Sequence, residues 1–208
     1  MSTAFFGMLA GALALLEIYP YTVSILGRDL LLRKIPEEER TIPNLATWTI
    51  LSVGGGIVAF SYYERNDMDS FWFFGGLFLE YCIATGLSIW YGEHRRNKNP
   101  IFSNLDKICL AGAGAGLAAW YFSGSWEIPI AIIIVVEGFG LTPTIEKVLR
   151  LPRSENFQAW TMTVLGYIFS IVALGPIDTW KFDRAAVPTC TGLMVGLIWI
   201  LMLRRFRK

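Results

Sequence analysis

Apolar runs of about 20 residues, separated by short polar loops, recur along the whole chain. That length is what a helix needs to cross the hydrocarbon of a bilayer. Of 208 residues, 54% are hydrophobic and only 17% charged, where a soluble domain carries roughly a quarter charged. Hydrocarbon offers backbone groups no partner, so only helices or a closed barrel can cross it. Barrel strands would alternate polar and apolar residues, whereas Ile130 to Val136 is apolar throughout. The reading is an all-α membrane protein with seven transmembrane helices, over 4–26, 43–63, 70–91, 106–122, 128–146, 157–175 and 186–203. Pro129 falls in the first turn of the fifth, where a missing N–H costs least.

Orientation follows from Lys and Arg. Arg28, Arg33, Lys34 and Arg40 follow the first span, and Arg95, Arg96, Lys98 and Lys107 follow the third. Lys147, Arg150 and Arg153 follow the fifth, and Arg204, Arg205, Arg207 and Lys208 form the tail. Only Arg65, Lys181 and Arg184 of the 18 basic residues fall on the opposite side. The expected location is the plasma (inner) membrane, N-terminus outside and C-terminus cytoplasmic. Met1-Ser2-Thr3 has no basic n-region, so the first span is taken as retained.

The chain also contains a stretch twice. Asn44, Trp48, Thr49 and Gly54 match Asn156, Trp160, Thr161 and Gly166 at one constant offset. Each copy follows an apolar segment ending near a proline, Pro20 or Pro143, and a short basic loop. The fold class is thus two parallel three-helix repeats joined by one connector helix (3+1+3). Residues 1–92 form the first repeat, 93–125 the loop and connector, and 126–208 the second repeat. Gly112, Gly114 and Gly116 would let another helix approach the connector closely.

Pro20-Tyr21 and Pro143-Thr144, the loops around Arg40-Thr41 and Arg153-Ser154, and the 3+1+3 order resemble the PQ-loop superfamily of SWEET and SemiSWEET membrane transporters. The resemblance implies alternating access between two three-helix bundles. It also implies a substrate, a sugar or another polar metabolite, bound between the second helices of the repeats. Aligned through the preceding loops, Gly54 with Val58 and Gly166 with Ser170 stand at the family's binding level. Asn44 with Trp48, and Asn156 with Trp160, share one helical face each. They read either as interfacial belt residues or as an inner gate. Pro20 and Pro143 read either as hinges or as static kinks. The two glycines read as close packing or as room for a ligand.

Glu17, Glu80 and Glu137 lie inside spans, well away from the ends, and no Lys or Arg other than Lys107, at the edge of the fourth span, falls inside a span to pair with them. An ionised carboxylate at mid-bilayer costs at least about 2.5–3.5 kcal/mol, so each should face the bundle interior and find a partner. They read as substrate or proton carriers, or as protonated groups bonding a neighbouring helix.

Cys82, Cys109 and Cys190 form no CxxC pair and read as small hydrophobes, and His94 reads as a solvated loop residue. No metal spacing, nucleophile elbow or phosphate loop is present, so neither an enzyme nor a cofactor is expected. The last span, Thr189 to Leu203, has no lysine for a retinal Schiff base. The expectation is a transporter of a small polar metabolite, passive or proton-linked. A vitamin carrier of the nicotinamide-riboside type shares that topology, and the alternative is a non-transporting receptor or assembly factor. Expected partners are the substrate and the lipid bilayer, with a homo-oligomer left open and no nucleic acid.

Overall fold

The computed structural model describes residues 2–28, 34–37, 40–92, 95, 100–123 and 127–206. Arg33, Glu38, Glu39, His94, Arg96, Lys98, Arg207 and Lys208 lie outside the described residues. Among the described residues, seven long helices make up the fold: α1 (Thr3–Leu26), α2 (Leu45–Glu64), α3 (Met68–Tyr91), α4 (Asn104–Ser123), α5 (Glu127–Arg150), α6 (Phe157–Ala173) and α7 (Phe182–Met202).

Local sequence explains where these helices start. Ser2, Asn44, Asp67 and Asn156 are N-caps whose side-chain oxygens accept from the N–H groups of Phe5, Thr47, Ser70 and Ala159. Each cap satisfies a donor that the first turn leaves without a partner. Ahead of α4, Ser103 and Asp106 bond reciprocally, at 3.1 and 2.8 Å. Gly27, at φ 68°, ends α1 in the left-handed conformation that a side chain resists.

Packing closes six helices into a ring in which two triplets consecutive in the chain, α1–α3 and α5–α7, follow one another. Helix α3 lies against both α1 and α2, and α7 against both α5 and α6. The triplets meet where α1 packs on α6 and α2 on α5, while α4 stands outside against α5. The α1–α3 contact is a seam of small residues. A Cβ on Gly7 would stand 2.5 Å from the Asp69 carbonyl oxygen, and one on Gly11 2.9 Å from the Trp72 Cβ. On the facing side, a Cβ on Gly76 would stand 2.9 Å from that of Ala14. On α4, Gly112 and Gly116 meet Phe139 and Val136 of α5, whereas Gly114 meets nothing within 4 Å.

Four helical stretches among the described residues are long and apolar enough to cross a membrane: Thr3–Leu26, Leu45–Glu64, Met68–Tyr91 and Arg184–Phe206. This corrects the expectation of seven transmembrane helices. Helix α6 has 17 residues, about 25 Å at the α-helical rise, short of a hydrocarbon core of about 30 Å. Helix α4 opens on Asn104, Asp106 and Lys107, and its middle is glycine and alanine, which add little apolarity. Helix α5 carries Glu137, Glu146, Lys147 and Arg150. The fold is all-α with seven helices, four of them of spanning length and apolarity.

Neither proline ends its helix. Pro20 and Pro143 both lie inside continuous helices, α1 and α5. A third, Pro188, lies inside α7.

Candidate functional site

Between the two triplets lies a cavity of about 10 Å³, room for about one water molecule. Every helix except α4 contributes to its wall, which includes Tyr21, Trp48, Glu80, Tyr81, Trp160 and Thr163. The aromatic side is continuous: the Trp48 ring stands 5.0 Å from Tyr21 and 5.7 Å from Tyr81, centroid to centroid.

Two carboxyls meet at this cavity. Glu80 of α3 lines it, and Glu17 of α1, completely buried, is its neighbour. The Thr163 hydroxyl of α6 donates to Glu17 Oε2 at 2.5 Å, while Glu17 Oε1 meets no protein donor. Two ionised carboxylates have only acceptors to offer each other, so this pairing needs a proton between them or a cation beside them. The Trp48 ring packs on Tyr21, and its buried indole N–H has no hydrogen-bond partner. The buried Tyr167 hydroxyl, near both carboxyls, is likewise unbonded.

Polar contacts tie the bundle together on either side of the cavity. At the end where α5 finishes and α6 begins, Lys147 is buried and forms an ion pair with buried Glu155. Its ammonium also donates to the Ile42 carbonyl at 2.6 Å. The second Glu155 oxygen accepts from the Tyr21 hydroxyl at 3.2 Å and the Trp160 indole at 3.3 Å. Glu155 thereby joins α1, α5 and α6. At the opposite end, Arg184 holds Asp67 through two bonds, 2.7 and 3.0 Å. Pro188 has no N–H to offer the Arg184 carbonyl one turn back, and the Tyr62 hydroxyl donates there at 3.2 Å.

The sequence-derived candidates separate into two groups. Glu17, Glu80, Trp48 and Trp160 come together at the cavity or its edge. Trp48 and Trp160 are buried rather than facing lipid, which removes the interfacial-belt reading. Glu137 is buried elsewhere and accepts from the Thr191 hydroxyl. Gly54, Val58, Gly166 and Ser170 are not in the cavity wall. Gly54 packs on Val136 and Glu137, and a Cβ on Gly166 would stand 2.6 Å from the Phe73 ring.

Asn44 and Asn156 act as caps that also brace other elements. Asn156 Nδ2 donates to the Pro20 carbonyl at 3.2 Å, and Asn44 Nδ2 to Asp106 at 3.0 Å. Cys109 is buried as expected, but Cys82 is exposed.

Sequence reasoning missed the Lys147–Glu155 pair: Lys147 stands next to a loop and is counted with its basic residues, and Glu155 is not singled out. The available signal was spacing. Lys147 follows Pro143 by four residues and so shares its helical face, turned toward the bundle.

Comparison with protein-family models, curated proteins and solved structures finds no match. The PQ-loop identity is not borne out. The site is therefore interpreted from its own residues.

Proposed function

We propose that the protein is a membrane carrier that moves a small polar molecule by exposing a central chamber to each side in turn, with proton linkage through Glu17 and Glu80. The observation that carries this reading is the burial of two neighbouring carboxyls from different helices beside one cavity, Glu80 in its wall and Glu17 bonded to the wall residue Thr163. Burying a charged pair of like sign is costly unless a proton or ligand occupies it. A proton site of this kind has a use when each side reaches it alternately. The Glu155 cluster and the Asp67–Arg184 pair are polar contacts that can open without breaking the hydrophobic seams.

The described basic residues gather at the Glu155 end, which supports placing that end and the C-terminus in the cytoplasm of a plasma or inner membrane. A fluorescent protein fused to the C-terminus then folds and fluoresces inside the cell, and a dark fusion removes this orientation.

The carrier reading is tested in liposomes holding a pH-sensitive dye, after a thermal-shift screen selects a ligand. An imposed pH gradient is expected to drive uptake of that ligand, and Glu17→Gln combined with Glu80→Gln to uncouple uptake from the gradient. Uptake indifferent to both would sink proton linkage. Binding without uptake would favour a receptor or assembly factor on the same bundle.

A further inference from the structure

Building on the carrier reading, the geometry points to a small organic cation, a protonated amine or quaternary ammonium, as the ligand of the chamber, exchanged there for a proton. Three observations converge on this chemistry. First, the chamber wall combines Glu80, whose neighbour Glu17 is buried behind it, with the aromatic residues Tyr21, Trp48, Tyr81 and Trp160. Aromatic faces attract a desolvated cation through their quadrupole, and tryptophan does so best. Second, no basic side chain lines the chamber. The Lys147 ammonium, joined through Glu155 to the wall residues Tyr21 and Trp160, is engaged by Glu155 and the Ile42 carbonyl. An anionic ligand would meet only like charge. Third, Glu17 Oε1 is completely buried and has no protein donor. It is an acceptor left over for an N–H donor or a positive charge.

A sugar fits this chamber poorly, because four aromatic and four aliphatic side chains stand in the wall beside Glu80 and Thr163, a more apolar lining than a ring of hydroxyls needs. A bare metal ion also fits poorly: among the described residues, no group of three His, Cys, Asp or Glu is arranged to hold one.

The exchange balances in charge. With two protons the pair is neutral. A monovalent cation entering as one proton leaves for bulk water keeps the chamber neutral, since one carboxylate forms as the positive charge arrives. The titratable groups facing the pair are Tyr21 on α1, Tyr81 on α3, Tyr167 on α6 and Glu155 ahead of α6, while Glu137 on α5 borders Tyr81 and Tyr167 rather than the carboxyls. None comes from α2 or α7. At its present size the cavity admits about one water, so an ammonium larger than that must part the aromatic walls.

The test uses the full-length protein in detergent and a pair of isosteres, choline and 3,3-dimethyl-1-butanol, which differ in charge but hardly in shape. Binding is followed by calorimetry in two buffers of different ionisation heat, so that released protons are counted. Choline is expected to bind at least about tenfold tighter than the alcohol. Its affinity should rise about tenfold per pH unit where one proton leaves per cation bound. Glu17→Gln and Glu80→Gln combined should remove the proton release, since either carboxyl alone can still give up one proton. The comparison across pH needs no variant, so it stands even where a variant fails to fold. Equal affinity for the two isosteres, or choline binding without proton release, overturns the inference. Choline binding without flux in liposomes would leave the cation site and remove the carrier. Flux of a neutral ligand with no choline binding would do the reverse.

Discussion

At the scale of single residues, Glu155 shows how a buried charge is tolerated. Its side chain is wholly buried, and its oxygens are met by the Lys147 ammonium, a phenol and an indole. Removing one partner strands the other charge, which typically costs about 3–5 kcal/mol. Lys147→Met is therefore expected to lower the melting temperature sharply in detergent. Replacing both, Lys147→Met with Glu155→Leu, should recover much of the loss, and a double variant no better than the single would refute the assignment of this pair. The exposed ion pair between Arg150 and Glu146, one helical turn apart, contrasts with it. Exposed pairs contribute at most about 1 kcal/mol, so Arg150→Ala should leave the melting temperature nearly unchanged.

Elements differ in how closely they approach one another, and the glycines mark where. Gly7 faces backbone atoms of α3, which cannot move aside without separating the helices. Gly7→Ala should destabilise by about 1–3 kcal/mol, the usual cost of overpacking. Gly114 faces open space, so Gly114→Ala should be neutral or stabilising, gaining up to about 1 kcal/mol of helix propensity. Thermal unfolding of the two variants side by side checks the contrast. The caps are ranked in the same way. Asn156 both starts α6 and bonds the Pro20 carbonyl of α1. Its replacement by alanine should cost about 1 kcal/mol or somewhat more.

Over the whole molecule, stability is unevenly spread. The core runs through both triplets, but α4 rests mainly on α5 and belongs to a small separate cluster around Cys109, Ala113 and Val136. Regions with few buried contacts open first. Hydrogen exchange is expected to be fastest in α4 among the seven helices and slowest where α1 and α2 pack on α3. Protection of α4 equal to that of α3 would contradict this division.

Helix number and extent were legible in the sequence, because runs of apolar residues bounded by polar ones leave a helix few other registers. The special standing of Glu17, Glu80 and Glu137 was legible too, since a carboxyl inside such a run is costly wherever it points. The crossing count was misread: hydropathy depends on every residue of a helix, and α4, α5 and α6 fall short through glycine, charge and length. The meeting of Glu17 with Glu80 was also beyond the sequence, as was the burial of Lys147 beside a loop. Periodicity states which face a residue occupies on its own helix. Which neighbour that face meets is set by how α1, α3 and α6 cross, and that crossing depends on side chains distant in the chain.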